Sequence, residues 1–516
     1  MPEGNGSAVL DPRAARRALQ NAHGKQKLDL ILSAPNPEEL VASLPAEELY
    51  FTLLEIGPDD APELVAMATP EQFRHFVDMA AWRVASEGPR TAEVLRWLRL
   101  AREGNAEPEK VRSQISSLDI ELLALALLRE LRVHELTEDE QPEPENPGMA
   151  FYTPDRRFLL EFTGSGEYAS VRQLIEDLYA AEPFEAGQLI ERTRWEVPSE
   201  LEESARRWRD GRLRDVGVPG YEEAIAFYAR PAQRPAKPVE ASAAQALAAP
   251  GRPLLEAALE LLSGEELERA EESAVYAANA ALVANRVRLD DADEVGEQLR
   301  DARATLSLGL ELISSGDPQR AARALADEPV REIFQTAMGE AYRLQTRARK
   351  LAARARLPQA QSATVLDEPL ESVVQGLLRQ RPLFHEPGQR RPHAFASRAE
   401  VARAEGLLDE AEATLALLSA LGLAPAELGP KAEEAGLGPA VVKASVAVRA
   451  LADCALRGEP FSLRGATDEF RVDAEGFDRK LDELLRTAAQ GEAGFRAAER
   501  IRTAIRPPSG GSAKKS

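Results

Sequence analysis

Apolar residues recur three and four positions apart along most of the chain, the spacing of one face of an α-helix. Between residues 36 and 82 they come in short groups: Leu40, Val41 and Leu44, then Leu49, Leu53, Leu54 and Ile56, then Leu64, Val65 and Met67, then Phe73, Phe76, Val77 and Trp82. Each group follows the same signal, a proline with acidic residues close behind it. Asn36-Pro37-Glu38-Glu39 opens the first and Leu44-Pro45-Ala46-Glu47-Glu48 the second. Gly57-Pro58-Asp59-Asp60 opens the third and Thr69-Pro70-Glu71-Gln72 the fourth. Proline at the first helical position gives up no useful N–H and has its φ preset. Acidic side chains in the first turn meet the positive end of the helix dipole. Asn36 and Thr69 are placed to cap free amides. Helices this short are not stable alone, so the pattern predicts short helices stacked into a superhelical array.

The same reading carries along the chain. A helix is expected over 11–35, another over 89–103 ended by Gly104, and one or two over 108–136. Residues 138–148, rich in Glu and Pro, read as a solvated acidic linker. One β signal follows: Met149–Thr153 and Arg157–Phe162 flank Pro154-Asp155-Arg156 and predict a hairpin. A lone hairpin is marginal and should lie on helices. Tyr168, Val171, Leu174, Ile175 and Leu178 then give a helical stripe. Pro231, Pro235, Pro238, Pro250 and Pro253, set among alanines, mark a domain linker.

Longer helices are expected beyond that linker. Leu255, Leu259 and Leu262 start one; Leu299, Leu306, Leu310 and Ile313 mark another, stopped at Gly316. Asp317-Pro318 caps the next. A single long helix is predicted over 328–357 with Phe334, Met338, Tyr342 and Leu351 inward, and further helices over 398–421, 439–457 and 474–505. The expected fold class is all-α with one β-hairpin, a short-helix superhelical array followed by helical bundle domains. Its divisions are a short-helix array over 1–137, the acidic linker 138–148 and a hairpin-plus-helices module over 149–230. A Pro/Ala-rich linker over 231–253, a C-terminal helical domain over 254–506 and a disordered tail over 507–516 complete it.

Composition sharpens this picture. Of 516 residues 44% are hydrophobic but only 5% aromatic, so the core must be built from Leu, Ala and Val. That palette suits packed helices better than sheets. With 64 basic and 86 acidic residues the net charge is −22, which repels phosphate backbones and anionic lipid head groups. No nucleic-acid partner is expected. No apolar run approaches the ~20 residues of a membrane helix, so no membrane insertion is expected either. The single cysteine, Cys454, permits no intramolecular disulfide and fits a reducing, cytoplasmic setting. It sits in an apolar helical stretch and reads as a buried thiol rather than a nucleophile.

The segment richest in candidate chemistry runs from Trp195 to Leu213. Ser199 with Glu202 has the form of a capping box for a helix ending near Gly211. Trp208 follows Leu201 by seven residues and Ala205 by three, which places it on their face. One reading makes Arg206, Arg209 and Arg212, forking around Trp208, a ligand-binding site for a small anion or an acidic peptide. The plainer and preferred reading is a capped helix whose arginines pair with Glu202, Glu203 and Asp210. A second basic cluster, Arg379, Arg381, Arg390 and Arg391, is interleaved with Phe384, His385, His393 and Phe395. Either it holds a phosphate or an acidic partner, or it is a connection whose aromatics tuck onto neighbouring helices, the reading we prefer. His385 and His393 lie eight apart, not a zinc spacing, and no metal site and no cofactor are expected. No P-loop, Gly-rich dinucleotide loop, His-Glu-x-x-His or Gly-x-Ser-x-Gly is present, so no catalytic residue is assigned.

Two resemblances attach to these residues. The punctuated helices over 36–82 resemble the helical N-terminal domain of MgtE-type magnesium transporters and related modules of the flagellar switch. Without the membrane part of such a transporter, transport is not implied. The order Trp-Glu-x-Pro-Ser-Glu-Leu-Glu-Glu from Trp195, then Arg-Trp-Arg-x-Gly-Arg-Leu from Arg207, then Tyr-Glu-Glu-Ala from Tyr221 resembles an uncharacterised family of bacterial proteins with a domain of unknown function. That likeness spans most of the chain, from about 28 to 500, and implies no mechanism. The function expected is a non-catalytic cytoplasmic protein-interaction or scaffold protein with an unidentified protein partner, since stacked short helices present large surfaces without needing chemistry. The alternative is an enzyme or sensor binding a small anionic ligand within 195–213.

Overall fold

The computed structural model describes residues 24–82, 88–104, 107–137, 142–164, 168–230, 253–289, 291–358, 363–464, 466 and 474–505. Most of the helix expected over 11–35, nearly all of the 231–253 linker, residues 138–141 of the acidic linker and the tail at 507–516 lie outside these residues. Two compact units divide the chain. The first takes in Met1–Ile225 and Asn279–Leu299, the second Ala226–Ala278 and Arg300–Ser516. The fold is mainly α with one small sheet, as the periodicity predicts. Among the described residues no helix is long and apolar enough to cross a membrane.

The first unit opens with α1 (Lys25–Leu32), α2 (Pro37–Ser43), α3 (Ala46–Ile56), α4 (Pro62–Met67), α5 (Pro70–Ala80), α6 (Thr91–Glu103), α7 (Pro108–Ser116) and α8 (Ile120–Leu128). Pro37 and Pro70 begin their helices as expected, and Thr69 with Gln72 closes a full capping box. Asn36 does not cap; its amide donates to Glu39 instead. Pro45 stands just before α3 rather than inside it. The third signal opens only the 3-10 turn Pro58–Asp60, and the α-helix begins at Pro62. Asp59, expected to serve that helix start, is held by Arg96 and Arg99 of α6.

Short helices leave carbonyls unsatisfied at their C-termini, and two buried glutamines answer two of these ends. The Gln72 side-chain amide donates to Val41 O at 2.9 Å and Leu44 O at 2.8 Å, at the end of α2. Gln114 does the same for Val65 O at 3.0 Å and Ala68 O at 2.8 Å, at the end of α4. Around them the core is mostly Leu, Val and Ala, with the scarce aromatics pooled. Tyr50 stacks on Phe76 with centroids 6.2 Å apart, Phe76 meets Trp97 at 5.4 Å, and the Tyr50 hydroxyl donates to Leu289 O at 3.2 Å. This core runs without interruption from Ile31 to Leu213.

The helix expected to continue to 136 stops at Leu128. Leu131–Glu135 forms strand β1, which joins β2 (Ala150–Tyr152) and β3 (Phe158–Phe162) in an antiparallel sheet of order β1-β3-β2. Leu131 pairs with Phe162, Glu135 with Phe158, and Phe151 with Leu160. All five residues of β3 are buried. Its backbone groups therefore need partners on both edges, and β1 supplies the edge that the hairpin leaves bare. At the hairpin turn Arg156 takes a left-handed φ of 60°. Next come α9 (Tyr168–Ala181), α10 (Pro183–Trp195), α11 (Pro198–Asp215) and α12 (Tyr221–Ala226).

Beyond them are α13 (Leu254–Leu259), α14 (Glu265–Asn285), α15 (Ala292–Ser314), α16 (Pro318–Asp327), α17 (Val330–Ala355), α18 (Leu370–Leu378), α19 (Arg398–Ala420), α20 (Pro425–Glu434), α21 (Ala444–Arg457), α22 (Ala474–Ala488) and α23 (Gly491–Ile505). Asp317 caps α16 through Arg320 N–H. In the long helix α17, Phe334, Met338 and Leu351 are buried. Tyr342 is half-buried and donates to Tyr228 O at 2.8 Å. The single helix expected over 474–505 is two, broken before Gly491, whose φ of 65° few other residues adopt. The helix expected from 439 starts at Ala444, after a 3-10 turn at Pro439–Val441. Cys454 is buried in α21 as a free thiol.

Candidate functional site

Helix α11 carries the arginine-rich segment. It begins at Pro198 with Val197 before it, and no side chain caps it, so Ser199 and Glu202 form no capping box. Nor does it end near Gly211: the helix runs to Asp215, and Gly217, at φ 79°, follows its end. Gly211 is tolerated inside because solvent faces it; no atom outside the helix lies within 4 Å of where its Cβ would stand. Glu202 was free to pair with Arg206, and Glu203 with Arg207, each four residues apart. Such i,i+4 pairs support a helix by ~0.3–0.5 kcal/mol.

The buried face of α11 runs through Leu201, Ala205 and Leu213. Between them the inward positions fall at Arg209 and Arg212, not at Trp208. A step of four from Ala205 turns 40° past a full circle, whereas a step of three falls 60° short. The stripe takes the step of four, and Trp208 stands 60% exposed. The arginines therefore do not fork around it.

Arg212 is clamped between two aspartates. Its Nε and Nη2 donate to Asp78 at 2.8 Å each, while Nη1 and Nη2 donate to Asp119 at 2.9 and 2.7 Å. Burial opposes its charge, yet the two carboxylates outweigh that and hold its pKa above the ordinary arginine value. Asp78 comes from the last turn of α5. Asp119 is the residue before α8, where it makes no capping bond because its carboxylate is spent on Arg212. Arg209 donates from Nε to the backbone carbonyl of Asp78 at 2.7 Å and from Nη1 to Asp210 at 3.2 Å. Its guanidinium lies 5.5 Å from the centre of the Trp82 ring. Burial pulls its pKa down, against the nearby Asp78 and Asp210. A cation at the C-terminus of α5 suits the helix dipole, and Arg90 adds a second there by donating to Ala80 O. One turn earlier, burial lowers the pKa of His75, with Glu47 and Asp78 opposing. Its Nε2 is buried without a hydrogen-bond partner among the described residues.

The plainer reading of the segment describes much of this. Arg206 meets Glu202, Arg207 meets Glu203 and Arg209 meets Asp210. Sequence reasoning missed Asp78, Asp119 and Trp82, which have no local signal: they stand 134, 93 and 127 positions from the arginines they meet. Arg206 and Arg209, but not Trp208 or Arg212, line a recess of about 430 Å³ beside α11.

The second basic cluster is not gathered into one site. Arg379 lines a recess of about 470 Å³ with Ser372, Gln375 and His385. Arg381 stacks on Tyr228 at 3.9 Å, and Arg390 and Arg391 are exposed. The connection around them is ordered as expected. Phe384 and His393 form an antiparallel bridge, and Phe384 and Phe395 are buried and stacked 5.3 Å apart. Among the described residues no group of three or more His, Cys, Asp or Glu is arranged to hold a metal ion.

Compared with known families, residues 6–464 match the model of a family of unknown function. The expected resemblance over most of the chain is thereby borne out; the likeness of residues 36–82 to MgtE-type transporters is not shown. No curated protein and no solved structure matches.

Proposed function

This chain belongs to DUF6178, a family of unknown function, and we propose that it is a non-catalytic cytoplasmic protein-interaction or scaffold protein. The contact surface in this proposal is the outer side of α10 and α11. The observation that carries it is the exposure of large aromatic rings there: Phe184 is 75%, Trp195 71% and Trp208 60% exposed. In a chain with four tryptophans, leaving two in water forgoes roughly 2–3 kcal/mol of burial each. Tryptophan and arginine are the side chains most often found at the centre of protein interfaces. Trp195 already has Arg194 over its ring at 4.4 Å, and Val197 beside it is exposed as well. Trp208 stands ten residues into α11, about 15 Å from the start of that helix at about 1.5 Å per residue, a length that fits within a standard interface.

The test is a photo-crosslinking residue placed at 195 or 208 in the native host, paired with capture on a Trp195→Ser, Trp208→Ser double variant. A partner that crosslinks from these positions and is lost with the double variant supports the reading, provided circular dichroism and Tm stay unchanged. Equal capture by wild type and variant, or no specific crosslink, refutes it. The second reading, a small anion held by α11, draws on one observation only: the recess lined by Arg206 and Arg209. On Arg212 itself no room is left, since both its aspartates are engaged.

A further inference from the structure

The recess beside α11 has a divided wall. Trp82, Val218 and Leu289 contribute an apolar side, and Arg209 and Arg214 contribute guanidinium groups. Its volume of about 430 Å³ lies within the range of small-molecule pockets. Two groups at this wall are unfinished. Trp82 is 6% exposed, yet its indole N–H has no hydrogen-bond partner among the described residues. A buried donor in that condition is uncommon and costly. Arg214 makes no ion pair and no hydrogen bond among the described residues, unlike Arg206, Arg209 and Arg212 on the same helix. Gly220 makes room for its guanidinium: a Cβ there would stand 3.3 Å from Nη2.

Charge around the recess narrows the ligand. Asp210, Glu222 and Glu223 also line it. Asp210 is taken by Arg209, but the carboxylate of Glu222 in the same lining makes the site a poor one for a multiply charged anion such as phosphate. One free guanidinium matches one carboxylate, which it can hold through two parallel hydrogen bonds. The apolar wall asks for a hydrophobic body on that carboxylate. We infer that the recess binds a small monocarboxylic acid with an aromatic or branched apolar body, its carboxylate on Arg214 and its body against Trp82, Val218 and Leu289. This deepens the second reading and is independent of the first, because Trp195 and Trp208 do not line the recess.

Calorimetric titration of the full chain with phenylacetate, indole-3-acetate and 4-methylvalerate tests it. Inorganic phosphate serves as the charge-only control and benzyl alcohol as the body-only control. At least one acid should bind roughly tenfold or more tighter than both controls, the value of about one charged hydrogen bond. Arg214→Gln should weaken that acid by a similar factor, leave benzyl alcohol unchanged and keep the wild-type Tm, since Arg214 is exposed and unpaired. The Trp195→Ser, Trp208→Ser variant should bind the acid as the wild type does, which separates this site from the protein-contact surface. Three acids no tighter than the controls, or an acid that binds Arg214→Gln undiminished, would overturn the inference.

Discussion

Replacing Arg212 by alanine should be the most damaging single change on α11. The substitution removes four charge-assisted hydrogen bonds of 2.7–2.9 Å. It strands two carboxylates, for the Asp78 side chain is 3% exposed and that of Asp119 14%. Solvent screening does little for groups so covered. Four such bonds taken one by one would sum to far more than a real deletion costs, because they act as one unit. The guide is instead the measured cost of removing one partner from a buried ion pair, ~3–5 kcal/mol. For a unit of this size that lowers Tm by roughly 6–20 °C, at 2–4 °C per kcal/mol. Arg212→Lys should recover only part, since an ammonium cannot span two carboxylates with a planar fork. The assay is denaturant unfolding followed by tryptophan fluorescence. All four tryptophans, Trp82, Trp97, Trp195 and Trp208, belong to the first unit, so the signal reports that unit alone. Adding Asp78→Asn to Arg212→Ala should recover stability, as one stranded charge is gone. A loss below about 1 kcal/mol in Arg212→Ala, the value of an exposed pair, or a lysine variant equal to the wild type, would refute the clamp as the element joining α5, α8 and α11.

Other changes have distinct signatures. Gln114→Leu, at a fully buried position, leaves Val65 O and Ala68 O without the donor they share, and should cost ~1–3 kcal/mol in the same fluorescence assay; an unchanged midpoint would argue that those carbonyls find other donors. Gly309→Ala places a Cβ 2.2 Å from Ile333 O, so α15 and α17 must separate; overpacking of ~1–3 kcal/mol should exceed the gain in helix propensity, and a rise in the Tm measured by circular dichroism would contradict this. Burial raises the pKa of Asp301 above its ordinary 3.8, even though Ala394 N–H and His393 favour the charged form. As pH rises from 3.8 through that raised value the native state holds more protons than the unfolded one, so stability falls across that window. Asp301→Asn, which keeps an acceptor for Ala394 N–H, should therefore stabilise at neutral pH and lose its advantage below about pH 4; a variant less stable than wild type at pH 7 would show that the charge itself is needed.

What could be read from the sequence was local. Thr69, Pro70 and Gln72 define a helix start within four residues, and all three act as their types predict. Phe158 to Phe162 was legible as a strand because the turn lies beside it. β1 was not: Leu131–Glu135 follows the leucine-rich stretch of α8, and its strand character depends on a partner 23–31 positions away. The same holds at the site. Arg206 and Glu202, one turn apart, were foreseeable; the choice between Trp208 and Arg209 for the inward face was not. From Ala205 both are permitted by helical spacing, and the decision rests with Asp78, Asp119 and Trp82, which sit on elements far away in sequence. Asp119 misleads in particular, for in front of Ile120 an aspartate reads as a cap, whereas here it is an ion-pair partner.

These distant partners answer a problem that the short helices create. A core of Leu, Val and Ala tolerates many arrangements of similar volume, and helices of six to eleven residues have little that fixes their order. Their ends, however, expose carbonyls that cannot be buried bare. α2 is finished by Gln72 from α5, α4 by Gln114 from α7, and α5 by Arg209 from α11 together with Arg90. In each case the helix end is completed by a side chain that reaches it only in one packing. Apolar burial thus supplies most of the stability, while a few buried polar side chains select the arrangement. A unit fixed in this way is a firm base on which to leave Trp195 and Trp208 in water, because its own core does not depend on them.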